Sequence, residues 1–377
     1  MAIYYIMPIL LTAIGIPMCR KQSGEKLRKI LVAAYLGIVF LVILIPAAIR
    51  NVSGYDYNLY AGWYYDILFK DYYWIMNWSR EKGFAVPIKI LSVVFSSDWQ
   101  PMFVIIALVV AVGIVLYIYK NSNLAYVSVA AFFTLGTYYN SLNFMRQTIA
   151  AIIVTFALSY VASKQFLRFL VLVLLASCFH YSALIMIPFY FILRIRLNWI
   201  TLGVYSAVGA AALIFSVQIS GFITQYFYKG YDPMKSVHMV FGLPLNSFIA
   251  FVLPCIPIFM FRKALIRKRT LNSVLINAYF FAAYFSLVGV KHAVLARFGL
   301  LFMIAPMLAL MPDLIIVINE KIKIKFEKNA ARAKICSLAI AAVFASYALM
   351  TSGILLVNDN HGVVPYMTVF DKHESGS

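Results

Sequence analysis

The chain has 377 residues, of which 64% are hydrophobic and 12% charged, and its formal net charge is +19. A soluble domain of this length cannot hide so much apolar surface, so the composition excludes a water-soluble globular protein. Nor does the charge read as a nucleic-acid footprint. It falls in short clusters between apolar runs, at residues 20–29, 164–168, 194–196, 262–269 and 321–334, and loops kept on the cytoplasmic side of a membrane carry such an excess.

A bilayer core needs about 20 residues of helix. Spans are predicted at 2–18, 30–49, 101–119, 124–139, 144–162, 166–179, 181–193, 198–219, 246–261, 271–289, 293–311 and 335–357. The first run lacks a basic n-region and a small-residue cleavage site, so it reads as a first transmembrane helix and not as a removed signal. The segment 83–97 is apolar but short and carries Pro87 and Lys89. If it crossed, every later basic cluster would move outside, so it reads as re-entrant or interfacial. With twelve spans both termini lie outside. The inner segments then hold 21 Lys and Arg against 4 Asp and Glu, and the outer ones 11 against 9. The short pair 166–179 and 181–193 is compatible with a hairpin that does not fully cross, which leaves sidedness unchanged. No internal repeat is visible. The expectation is one all-α, polytopic transmembrane domain, 1–377, with outer loops 50–100 and 220–245.

The first outer loop contains Tyr55, Tyr57, Tyr60, Tyr64, Tyr65, Trp63, Trp74 and Trp78, and the second Tyr226, Phe227, Tyr228 and Tyr231. Such aromatics suit a membrane interface, and they also suit stacking on sugar rings. The four cysteines have no metal-type spacing and read as buried apolar residues.

The charges that chemistry would use lie on the outer side. Arg50 follows the apolar run ending Ala47-Ala48-Ile49. It either snorkels to the interface or holds an anion. Asp56, in the Gly-containing turn that follows, is a turn residue or partner of Arg50, or else a general base or sugar-hydroxyl acceptor. Asn143 reads as an N-cap, with Arg146 in the first helical turn after it, where free N–H groups and the helix dipole favour an anion and a guanidinium fork suits phosphate. His180 stands between two short apolar segments, either as a hydrogen-bonded structural residue or as a proton acceptor near neutral pH. Lys291, His292 and Arg297 form a third outer cluster that suggests an anionic ligand. His292 has no His/Asp/Glu spacing around it that would support a metal. Lys89 either joins that pocket or snorkels.

Arg50 with Gly54-Tyr55-Asp56-Tyr57 and Tyr60, then Asn143-Phe144-Met145-Arg146-Gln147 with Ala150, then Phe179-His180-Tyr181-Ser182-Ala183-Leu184-Ile185, and the late Val364-Pro365-Tyr366 together resemble the EpsG/Wzy family of polysaccharide polymerases. The resemblance implies a GT-C-type all-helical fold in the bacterial cytoplasmic membrane, with its active site facing the exterior. It implies polyprenyl diphosphate-linked oligosaccharide substrates, and transfer of the growing glycan onto the non-reducing end of a new lipid-linked unit. Arg50, Arg146, Arg297 and Lys291 would then neutralise the diphosphate without a metal or other cofactor. His180, with Asp56 as rival, would be the base, and Tyr57, Tyr60, Asn143, Gln147 and His292 would position the sugars. A chain-length regulator is a possible protein partner, and no nucleic acid is expected. An O-antigen-type ligase uses the same donor. A flippase for lipid-linked sugars would show internal repeats and charges along a central cavity, and an acyltransferase would pair a histidine with a cytoplasmic or tunnel-facing carboxylate.

Overall fold

The computed structural model describes residues 2–19, 24–78, 81–227, 248–289, 293–357 and 362–371. Among these residues the chain is helical, with no strand and one isolated antiparallel bridge between Arg50 and Thr368. Helix α1 (Ala2–Met18) and the long α2 (Glu25–Ile49) lead to three short helices, α3 (Tyr57–Leu68), α4 (Tyr72–Trp78) and α5 (Lys82–Phe95). Next come α6 (Gln100–Asn121), α7 (Ala125–Thr134), α8 (Thr137–Asn143), α9 (Met145–Ala162) and α10 (Phe166–Phe179). A 3₁₀ turn (Tyr181–Ile185) opens α11 (Met186–Ile192), followed by α12 (Trp199–Ile214), α13 (Ser216–Phe227), α14 (Cys255–Lys268) and α15 (Leu271–Val288). Helix α16 (Ala293–Ala305) runs through a π-helical turn (Pro306–Leu310) into α17 (Met311–Lys325), and α18 (Ala330–Val357) completes the bundle.

Six helical segments among the described residues are long and apolar enough to cross a membrane, and five shorter apolar helices accompany them. Several predicted spans change shape. The span expected at 124–139 stops at Leu135, because Gly136 takes a left-handed conformation, φ 78°, and its N–H and that of Leu135 cap α7, the usual end of a helix at glycine. The span expected at 198–219 breaks at Phe215. That at 293–311 is the opposite case, since the helical path continues to Lys325. Pro306 has no N–H to give the preceding turn, and the chain absorbs the gap as a π turn.

Helix α9 is the axis of the bundle, packed against α10, α16, α6 and α15. In the most apolar stretch of Arg297–Lys325, 89% of the residues are buried, against 11% in that of α18, so the first belongs to the core and the second lies at its surface. Within lipid, apolar burial does not itself drive helix association, and buried hydrogen bonds and close packing do more of it. Ser128 donates to the Leu308 carbonyl at 2.6 Å, and Asn277 donates to the carbonyls of Leu193 and Ile195 at 2.9 and 2.7 Å. Of the cysteines, Cys19 and Cys255 are buried as expected, but Cys178 is exposed on α10.

The expected outer loop 50–100 is three helices. Both ends of α5 lie at the same end of the bundle. Glu81, just before it, reaches Arg146 at the start of α9, and Gln100, just after it, donates to the Arg50 carbonyl at 3.3 Å. The chain from Glu81 to Gln100 thus starts and finishes at that end. The loop expected at 220–245 falls partly on α13, and its residues from 228 onward lie outside the described residues. The basic clusters meet at the other end of the bundle. Arg269 donates to the Asn121 carbonyl at 2.6 Å and pairs with Asp313, while Arg28 and Lys29 share a cavity with Tyr119 and Asn123.

Candidate active site

The site is built around the break between α8 and α9. Phe144, at φ −81° and ψ 53°, interrupts the helix, and the Leu142 carbonyl at this break accepts a side-chain donor from another element. That donor is Arg50. Its guanidinium donates to the Leu142 carbonyl and, at 3.1 Å, to the Ser53 carbonyl, and it lies 5.0 Å from the Phe103 ring centre. Arg50 is 2% exposed, so its donors face protein and it fastens the turn after α2 to the head of α9. Asn143 is not an N-cap. Its Oδ1 accepts from the Asp56 N–H at 3.3 Å, and its Nδ2 donates to the Tyr139 carbonyl. Gly54 makes this approach possible. Its φ is +104°, and a Cβ there would sit 3.0 Å from Asn143 Oδ1 and 3.3 Å from the Arg50 guanidinium, so only glycine is unstrained at this position.

The C-terminal segment completes the clasp. The Asn51 N–H donates to the Met367 carbonyl at 2.8 Å and the Gly54 N–H to the Gly362 carbonyl at 2.7 Å, and the Tyr366 hydroxyl donates to the Pro46 carbonyl at 2.7 Å. The late Val364-Pro365-Tyr366 motif thus lies against the same turn as Arg50.

Arg146 is the second residue of α9. Its guanidinium lies 4.2 Å from the Trp63 ring centre, with Phe84 at 5.7 Å and Tyr60 at 5.9 Å. Aromatic faces hold a cation this way. Three aromatics of the segment 50–100 thus enclose an arginine. Its anionic partner is Glu81, which sequence reasoning missed. One carboxylate oxygen of Glu81 pairs with Arg146. The other lies 3.0 Å from His180 Nδ1 and accepts from the Tyr181 N–H at 3.2 Å. Glu81 and His180 are both buried, at 9% and 7% exposure. Burial alone would raise the Glu81 carboxyl, but the His180 contact, Arg146 and the Tyr181 N–H outweigh it and hold the group below its usual range. Gly83 brings the two elements together, since a Cβ there would meet the Cys178 backbone at 3.0 Å. No local signal marks Glu81, whose partners lie 65 and 99 positions away.

Arg297 stands one turn into α16, 4.7 Å from the Phe144 ring centre, and its carbonyl accepts from Gln147 at 2.6 Å. Its buried Nε has no hydrogen-bond partner among the described residues. The Asp56 carboxylate does not cap α3. Desolvation raises its pKa, against the pull of Arg297, Arg146 and Arg50 in that order, so it lies in the field of all three. The Tyr60 hydroxyl accepts from the Arg146 N–H at 3.4 Å. Tyr57 packs elsewhere, stacked on Phe103 at 4.4 Å and joined to Trp99. Lys89 neither reaches this site nor snorkels, because its ammonium caps the end of α3 at the carbonyls of Ile67 and Leu68. Lys291 and His292 lie outside the described residues.

The fold therefore gathers Asp56, Tyr60, Glu81, Asn143, Arg146, Gln147, His180 and Arg297 at one end of the bundle, around the N-terminus of α9. Such an arrangement can neutralise an anion and accept a proton beside it. Among the described residues no three of His, Cys, Asp and Glu converge as a metal site would require. No curated protein and no solved structure gives a significant match to the chain. A sequence model of the EpsG family matches residues 33–368, a range that takes in Arg50, Glu81, Arg146, His180 and Arg297. On that match, which covers nearly the whole chain, the protein belongs to the EpsG family.

Proposed function

We propose that the protein is a polysaccharide polymerase that moves a growing glycan from polyprenyl diphosphate onto the non-reducing end of a lipid-linked repeat unit at the outer leaflet. Membership of the EpsG family points to a glycosyltransferase-like polymerase. The observation that carries the finer reading is the convergence of Arg146, Arg297, His180 and Asp56 at the head of α9. The excess of basic residues at the opposite end supports a reading in which this end faces the exterior of a bacterial cytoplasmic membrane.

In the reaction, the bond from the anomeric carbon to the diphosphate oxygen breaks and a bond to the acceptor hydroxyl oxygen forms. The hydroxyl proton passes to a base on the protein and then to the departing diphosphate. Arg146 and Arg297 neutralise that leaving group, aided by the positive end of the α9 dipole. This reading assigns charge neutralisation to arginines and calls for no metal. His180 is the favoured base. Glu81 lies 3.0 Å from Nδ1, a carboxylate–imidazole contact of the kind that orients a catalytic histidine. Asp56, whose raised pKa favours proton uptake, is the rival. Tyr60, Asn143 and Gln147 position the reactants. Arg50 acts through them by fixing the Leu142 carbonyl, and Tyr57 through its stack. Lys291 and His292 complete the diphosphate and sugar contacts.

The test is reconstitution of the purified protein with synthetic polyprenyl diphosphate-linked repeat units, without nucleotide and with chelator present. A gel ladder of glycan lengths is expected. Absence of a ladder, with labelled substrate crossing the bilayer of sealed vesicles, would assign the protein to transport instead. A single transfer to a non-identical acceptor would assign it to the ligases.

A further inference from the structure

The end of the bundle opposite the site holds a cleft of about 640 Å³, lined by Arg194, Arg196, Arg262, Lys263 and Arg267 over a floor that includes Ser273 and Ile276. Among the described residues no acidic one lines it. We propose that this cleft binds the headgroup of an anionic phospholipid of the inner leaflet, a role separate from glycan transfer and independent of it.

Basic residues at this end are expected from topology alone. Three features set the cleft apart. The first is uncompensated charge. Three basic positions outside the cleft have acidic partners, Lys29 with Glu25, Lys268 with Glu320 and Arg269 with Asp313. The cleft joins cations from two separate clusters without one.

The second is preorganisation. Asn277 holds the carbonyls of Leu193 and Ile195, and Asn198 and Thr201 cap the start of α12 reciprocally. Arg262 donates to the Leu197 carbonyl at 3.3 Å and to the Phe259 carbonyl at 2.7 Å, and lies 3.8 Å from the Phe259 ring centre. The walls are therefore fixed before a ligand arrives, which reduces the ordering cost of binding.

The third is the apolar surface that continues from it. On one face of α14 the exposed residues run Ile256, Met260, Lys263 and Arg267, spaced four, three and four apart. That face changes from apolar to cationic along its length. Across the cleft, Trp199 packs on Phe259 at 4.5 Å, and α12 exposes Ile200, Val204 and Val208 at intervals of four. Both strips descend from the cleft into the bilayer. A ligand matching them carries phosphate at one end and acyl chains at the other. A free phosphate would use only the cations. Basic pockets between transmembrane helices at this depth suit such headgroups.

The experiment is native mass spectrometry of the full chain released from micelles containing equal phosphatidylglycerol and phosphatidylcholine. Phosphatidylglycerol is expected to be retained in preference, and the Lys263→Gln/Arg267→Gln variant to lose that preference by about tenfold or more. Lys321→Gln/Lys323→Gln, in another basic cluster, is expected to keep it. The targeted residues are exposed, so the variants should fold, and an unchanged thermal transition in detergent checks this. Equal retention of the two lipids, an equal loss in the control variant, or displacement by free glycerol phosphate at the same concentration would each overturn the proposal.

Discussion

Glu81 Oε1 and His180 Nδ1 lie 3.0 Å apart, joined across the seam where the start of α5 meets the end of α10. The other oxygen of the same carboxylate holds Arg146. One side chain thus sets the orientation of the favoured base and of the first diphosphate ligand. Glu81→Gln should lower the polymerisation rate by about 10- to 100-fold, as loss of an outer partner does in comparable sites. Glu81→Asp should restore part of it. The check is initial rate in the reconstituted assay.

The same carboxyl gives a pH signature. Its pKa is lower in the folded protein than its ordinary 4.5. A depressed carboxyl stabilises the fold fully above its unfolded pKa, and the contribution is lost as pH falls through the folded value. Melting temperatures of the wild type and Glu81→Gln in detergent should therefore differ above about pH 5 and converge as the pH drops below the unfolded value. A constant difference across that window would count against the ion pair.

Arg50 and Arg146 should separate in their effects. Arg50 is fully enclosed and fastens main-chain carbonyls, so Arg50→Ala leaves buried acceptors unpaired at a cost of about 1–3 kcal/mol. It should lower the melting temperature and activity together. Arg146→Ala strands the buried Glu81 carboxylate and should lower the melting temperature too, but its activity per folded molecule should collapse while that of Arg50→Ala falls less. Thermal unfolding and ladder formation on the same preparations compare them.

Gly54→Ala should behave like a mild Arg50 variant. The backbone there is left-handed and the added methyl would press on Asn143 Oδ1, a strain of about 1–3 kcal/mol. Reduced activity with a lowered melting temperature is the expected pair.

At the basic end, Asp313 is fully buried and accepts from Asn123 at 2.6 Å and Asn272 at 2.9 Å, beside Arg269. Asp313→Ala should destabilise by about 1–3 kcal/mol through stranded donors. Asp313→Asn, which keeps the shape, should cost less. Neither touches the opposite end, so activity per folded molecule should hold, as measured by specific rate at low temperature.

Helix positions were legible in the sequence because long apolar runs report the bilayer directly, and α2, α6, α9 and α15 fall close to their predicted bounds. The breaks within spans were not. Gly136 and Phe215 end helices inside the predicted spans 124–139 and 198–219, whereas the break at Phe144 falls at a predicted span boundary. Arg146, His180 and Arg297 were visible as polar residues at costly positions. Glu81 was hidden, being one acid in the charged triplet Arg80-Glu81-Lys82 with distant partners. Asn143 and Tyr57 were read for local or ligand roles, and the fold gives them side-chain partners on other elements.

The most direct test of the account is the single-turnover rate of Arg146→Ala on synthetic polyprenyl diphosphate-linked repeat units at saturating acceptor. If Arg146 stabilises the leaving diphosphate, the rate should fall by about 10²- to 10³-fold while the protein stays folded. A variant that builds polymer of normal length and yield at normal protein levels would contradict the assignment.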